Sequence, residues 1–226
     1  MGFWQGYVEY WDYWWPQLAA ATGNTISLTA LSYVFALILG ILLALGRLSK
    51  IRLLPQLCRA YIEFVRGIPA LALLFLIYFG LVPLGIVVNS FIAAVIGLGM
   101  NQGAYLAEVF RGGIEALHKG QREAALAVGM TPLKAYRYII MPQAVRIVLP
   151  PLLNMLIILL KDSSVCSLIS TPELMLRAKD LASMSFLPLH AYLLAGLIYF
   201  LMAFPLSLMT KRVERRFRKG LRSVTA

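Results

Sequence analysis

The sequence predicts an all-α, polytopic membrane protein with five spans in a single transmembrane domain covering residues 1–226. Three observations carry that expectation. The chain is 60% hydrophobic and only 14% charged, and its mean hydropathy of +0.77 exceeds what the core of a soluble domain requires, where about a quarter of residues are charged. Apolar stretches long enough to cross hydrocarbon, about 20 residues each, alternate with tracts that could not cross. Finally, Lys and Arg concentrate in alternate connecting segments, the pattern of a chain threaded back and forth through a bilayer.

The spans are expected at 18–46, 60–82, 90–110, 145–168 and 190–210. Ahead of the first stand all four tryptophans, Trp4, Trp11, Trp14 and Trp15, with Phe3, Tyr7, Tyr10 and Tyr13. That is the composition of an interfacial aromatic belt, and the reading is a short segment lying on the outer surface in contact with lipid. The aromatics are too spread to converge on a ligand as a cage would. This stretch carries Glu9 and Asp12 but no Lys or Arg, unlike the positive start of a secretory signal, so no cleavage is expected. The second span is interrupted early by Arg66, Gly67 and Pro69, and the apolar remainder, 70–82, is short for a crossing without its flanking turn. In the third, Gly97, Gly99 and Gly103, with Gly112 and Gly113 at its exit, permit close helix contact.

Charge placement gives the orientation, because basic residues are retained on the cytoplasmic side. Between the first two spans, counting through Arg66, there are five Lys and Arg; the segment between spans three and four with its flanks has six; the tail after span five has seven. The alternate side holds only Lys161, Arg177 and Lys179, so the balance is eighteen against three. The N-terminus is expected outside and the C-terminus in the cytoplasm, which requires an odd number of spans. The net charge of +11 follows this loop pattern and does not call for nucleic acid. Cys58 and Cys166 fall near opposite faces and are not expected to pair.

The cytoplasmic segment 111–146 carries more order in its signals than a passive loop. Gly120 suits a helix N-cap, with Glu123 at the third helical position complementing the N-terminal dipole. Ala124, Ala125, Leu126, Ala127 and Val128 continue with strong helix formers, and Gly129 suits a left-handed stop. Thr131 and Pro132 form a second start signal, cap then proline, leading to a helix that Pro142 is expected to interrupt. Small alanines flanked by Lys119, Arg122, Lys134 and Arg137 suit docking into a partner's groove. An amphipathic connector on the bilayer surface accounts for the same residues equally well.

The run Gly120-Gln121-Arg122-Glu123-Ala124-Ala125-Leu126-Ala127-Val128-Gly129-Met130, followed by Ile139-Ile140-Met141-Pro142-Gln143-Ala144, resembles the EAA motif of ABC importer permeases of the type I fold. The likeness extends to the polar amino-acid branch of that family, the histidine, glutamine, glutamate, arginine and opine permeases. It runs through Phe64-Val65-Arg66-Gly67-Ile68-Pro69, through Ala104-Tyr105-Leu106-Ala107-Glu108-Val109-Phe110-Arg111-Gly112-Gly113-Ile114, and through Leu160-Lys161-Asp162-Ser163-Ser164. Ile68 stands where threonine is frequent, and Met141 where leucine is frequent.

The resemblance implies that the helix beginning at Gln121 is a coupling helix seated in a cleft of a cytoplasmic ATPase, with Gly120, Glu123, Ala124, Ala125, Gly129 and Pro142 as the coupling residues. No Gly-x-x-x-x-Gly-Lys-Ser/Thr pattern occurs in the chain, so it binds no cofactor of its own, and ATP and Mg belong to a partner ABC ATPase dimer. The family also implies a second permease chain, identical or similar, an extracytoplasmic substrate-binding protein, and a place in the bacterial inner membrane. No catalytic role is expected of this chain.

Polar residues at membrane depth are costly and so are candidates for a substrate pathway. Asn101 and Gln102 fall near the middle of span three, Asn154 near the middle of span four, and Asp162, Ser163 and Ser164 toward its outer end. One carboxylate among neutral amides would match an amino acid, although amides also link helices and Lys161 can neutralise Asp162. Arg59 and Arg66 flank Glu63, and Arg111 precedes Glu115, at helical spacing that suggests structural pairs. His118 and His190 lack companion ligands, so no metal site is expected. A self-contained channel or secondary transporter is the competing reading, for which inverted repeats and paired broken helices would be expected; no convincing repeat is visible.

Overall fold

A computed structural model of the protein describes residues 3–115 and 119–221, all of its regular structure being helical. The helices are α1 (Phe3–Arg47), α2 (Leu54–Gly67), α3 (Ala70–Tyr78), α4 (Ser90–Glu115), α5 (Lys119–Ala127), α6 (Pro132–Ala135), α7 (Met141–Asp162), α8 (Leu174–Ser185) and α9 (Pro188–Leu221). Four helical stretches are long and apolar enough to cross a bilayer: α1, α4, the composite 132–169, and α9. The bent pair of α2 and α3 supplies the fifth when it is counted as one span. Arg222 and His118 lie outside the described residues, as do the side chains of Lys119 and Arg122.

The aromatic N-terminal stretch is not the separate surface segment expected from its composition. It is continuous with the first span in one helix of 45 residues, about 68 Å at 1.5 Å per residue, twice the roughly 30 Å of hydrocarbon. Pro16 lies inside that helix, where it removes one backbone hydrogen bond at a cost of about 3 kcal/mol. Packing outweighs it. Trp14 and Leu18 are fully buried against Leu174, Leu181, Ala191 and Ala195 of α8 and α9, and each large side chain removed from water contributes about 1.5–3 kcal/mol. Trp4, Trp11 and Trp15 occupy the exposed face.

α4 is the helix the others surround. Its glycines admit neighbours that a methyl group would exclude: a Cβ on Gly99 would stand 2.2 Å from the Phe35 ring of α1, and one on Gly113 would stand 2.0 Å from Val148 of α7. Gly112, on the other face, has open space. Polar side chains stitch the same contacts through backbone carbonyls. Tyr33 donates to Leu152 at 2.7 Å, Tyr61 to Met100 at 3.3 Å, and Gln102 to Met155 at 2.9 Å. Cys58 and Cys166 are buried and unpaired.

Two corrections concern the segment after α4. Gly120 lies within α5 and does not cap it, since the helix already includes Lys119. Gly129 does take the left-handed conformation, with φ of 82°, and the Thr131 hydroxyl accepts from the Lys134 N–H at 3.4 Å to start α6. Pro142, however, interrupts nothing. The chain widens into a π turn at Tyr136–Ile140, in which the Met141 N–H bonds to the Tyr136 carbonyl, and Pro142 then sits in the first turn of α7. A π turn lets a residue without an N–H pass without colliding with the preceding carbonyls.

The connection between α7 and α9 is itself largely helical. A short 3₁₀ stretch, Ser163–Ile169, leads to α8, which is capped by a carboxylate described below.

Candidate functional site

The second span breaks where Gly67 and Pro69 predicted an interruption, but further than an interruption requires. Ile68, directly before the proline, is extended (φ −107°, ψ 147°), as steric conflict with the proline ring demands. α3 therefore leaves α2 at 104°. α3 starts at Ala70 with no side-chain cap, so its first N–H groups and its positive dipole end are available at the break.

A cavity of about 470 Å³ opens there, between the break, α4 and α7, within the range of about 300–1,000 Å³ typical of small-molecule sites. Its lining includes Arg66, Pro69, Asn101, Tyr105, Met155, Ile158 and Asp162. The Arg66 guanidinium sits 5.1 Å over the Tyr105 ring, a cation–π contact that fixes the charge beside the cavity. It does not pair with Glu63, which bonds Arg59 at 2.7 Å.

The structure thus brings Asn101, Gln102 and Asp162 together and leaves the other pathway candidates elsewhere. Gln102 lines the cavity, although its amide nitrogen is committed to the Met155 carbonyl. Asn154 is exposed and lies outside the cavity lining. The Ser163 and Ser164 hydroxyls donate back to the Leu160 and Lys161 carbonyls at 2.7 Å, which serves the end of α7 and not the cavity. Lys161 makes no ion pair with Asp162 among the described residues. Arg66, Tyr105 and the backbone of the break were not among the candidates, although the Arg-Gly-Ile-Pro string flagged the place.

Further along α4, Glu108 holds Arg47 of α1 at 2.8 Å and Arg111 at 2.6 Å, and Arg111 also bonds Glu115. The anticipated Arg111–Glu115 pair is one edge of this larger network. Beyond it α5 projects with Glu123, Ala124 and Leu126 exposed, while Ala125 is buried beneath.

Residues 36–219 match the family of binding-protein-dependent transport system inner membrane components. The chain belongs to that family. It is 36% identical to the probable amino-acid ABC transporter permease protein YckA of Bacillus subtilis, covering 89% of each chain. It is 38% identical to the L-cystine transport system permease protein TcyB of the same organism, over 89% of this chain and 87% of that one. Among solved structures it resembles an amino acid ABC transporter with histidines, at a TM-score of 0.88 and 36% identity, covering 93% of this chain and 98% of the other.

One buried charge in this permease went unseen in the sequence. Glu173 is 0% exposed and caps α8, its carboxylate accepting from Met175 N–H at 2.8 Å and Leu176 N–H at 2.7 Å, and from the Tyr199 hydroxyl at 2.7 Å. Thr25 of α1 accepts from the Leu174 N–H beside it. Burial pushes the carboxyl above its usual range, against these hydrogen bonds, which pull it down. Four donors converging on one turn tie α1, α8 and α9 into a single outer unit. Glutamate is not a favoured N-cap residue, so Pro172-Glu173-Leu174 gave little signal.

Proposed function

We propose that the permease carries polar amino acids inward, driven by ATP hydrolysis on a separate cytoplasmic subunit. The observation that carries this reading is the cavity at the helix break, with its guanidinium, carboxylate, free amide and uncapped helix end. An α-amino acid presents an ammonium and a carboxylate. Asp162 complements the first; Arg66 and the first N–H groups of α3 complement the second. Broken helices whose ends face a buried site recur in transporters for this reason. Relatives described as amino-acid and L-cystine permeases support the same cargo class.

ATP and Mg belong to a partner ATPase dimer, because this chain has no phosphate-binding loop. α5, with Glu123 and Ala124 outward and Gly129 closing it, docks in that partner's cleft; the stiff α6–π–α7 continuation carries the displacement into the cavity wall. A second copy of the chain, or a similar one, completes the pathway, since five helices enclose little space. An extracytoplasmic binding protein delivers the cargo. The charge bias puts the N-terminus outside and the C-terminus in the cytoplasm.

The test is uptake into proteoliposomes by the permease co-purified with its ATPase, across a panel of radiolabelled amino acids. ATP-dependent uptake that Asp162→Asn and Gly129→Asp each abolish is the expected result. Uptake that proceeds without ATP, or a permease that retains no ATPase in mild detergent, would establish a channel or secondary transporter instead.

A further inference from the structure

We infer that the cargo is an amino acid whose side chain carries no net charge, a zwitterion whose only charges are its own ammonium and carboxylate. This rests on the reading that the cavity at the helix break holds the cargo. Arg66 and Asp162 are the two charged side chains of its lining, one cation and one anion. The ammonium and carboxylate of any α-amino acid use both.

A third charge finds no partner. The rest of the wall's side chains are neutral: the Asn101 amide, the Gln102 amide with its nitrogen committed to Met155, the Tyr105 phenol, and apolar groups such as Met155 and Ile158. Of the charges outside the lining, Lys161 is exposed and Glu108 is held by Arg47 at 2.8 Å and by Arg111 at 2.6 Å. The guanidinium of arginine, the ammonium of lysine or the second carboxylate of glutamate would therefore lie against this lining with no countercharge, which an amide cannot replace. A neutral polar side chain meets a different environment. Asn101 makes no hydrogen bond among the described residues, so its amide can both donate to and accept from a side chain such as that of glutamine or serine. Selection by unpaired charge is stronger than selection by size in an apolar pocket.

The experiment measures direct binding to the full-length permease with its ATPase in nanodiscs, without the binding protein, using radiolabelled L-glutamine, L-serine, L-arginine, L-lysine and L-glutamate. Glutamine or serine is expected to bind, with the three charged amino acids at least about 30-fold weaker. Asp162→Asn should abolish binding of the neutral ligand. Ile158→Glu, which adds a second carboxylate to the wall, should improve arginine binding at least about tenfold, and Met155→Glu tests the same point at a second position. Arginine or glutamate binding as tightly as glutamine, with Asp162→Asn abolishing it, overturns the charge rule and leaves the cavity reading intact. Binding indifferent to both Asp162→Asn and Asn101→Ala overturns the cavity reading itself. Failure of all five amino acids to bind overturns both.

Discussion

Two prolines mark two irregular stretches of backbone in this permease, and the chain resolves them in opposite ways. At Pro69 the preceding residue is forced extended, the ladder is abandoned, and α3 departs from α2 at 104° with its first N–H groups uncapped. At Pro142 the helix widens by one residue per turn over Tyr136–Ile140 and continues into α7. The first leaves a cavity with unsatisfied donors, suited to a ligand; the second leaves a connected rod, suited to carrying displacement. The difference lies upstream of each proline. Gly67 and Ile68 precede the first, ending one helix before the ring is reached, whereas Tyr136 to Ile140 hold no glycine and stay in a continuous helical run. A proline alone specifies a missing N–H, and its neighbours decide whether the chain bends or widens.

Substitutions at the two places should separate these roles. The largest effect is expected at the cavity: Asp162→Ala should lower uptake more than about 100-fold, since removing one partner leaves a charge without compensation, while ATPase remains bound on co-purification. At the rod, Glu123→Lys and Gly129→Asp should abolish transport with the protein still inserted and cargo binding retained; normal uptake by both would sink the coupling role of α5. Gly129 has φ of 82°, so any side chain there also meets backbone strain.

Between the two places, α4 should tolerate little. Gly99→Leu, forced against Phe35, should cost about 1–3 kcal/mol in thermal unfolding, whereas Gly112→Ala, facing open space, should be neutral or gain about 0.5–1 kcal/mol. The smallest effect is expected at Glu173, the cap of α8. Its carboxyl is raised above the ordinary value of 4.5, so the folded state holds the proton more tightly than the unfolded chain. That contribution to stability is complete below the ordinary value and is lost as pH rises through the raised one. The midpoint of thermal unfolding should fall over that window, and Glu173→Gln should flatten the dependence.

Much of this could be read from residue order alone. Hydrocarbon thickness sets span length, so each apolar run falls within one of the observed apolar helices or the bent α2–α3 pair, and the Thr131-Pro132 and Gly129 signals marked real helix boundaries because caps depend on local backbone chemistry. The reading failed where a distant partner overrode a local signal. The aromatic composition suggested a separate surface segment, but Trp14 and Leu18 found α8 and α9 to pack against. Gly120 resembled a cap, yet the helix begins before it. Asn154 and Asp162 lie eight residues apart on the same span and looked alike as polar residues at membrane depth, but Asn154, about 12 Å further along the helix, is outside the cavity lining.

The sequence by itself determined the solvent, the number and order of the apolar runs, and the site of the helix break, because each follows from composition or from chemistry within a few residues. Only the tertiary structure decided what the break faces. Arg66 over Tyr105, Gln102 bonded to Met155 and Asp162 opposite the start of α3 join residues far apart in the chain. Such meetings depend on how helices rotate and cross, and that is set by packing across the whole molecule.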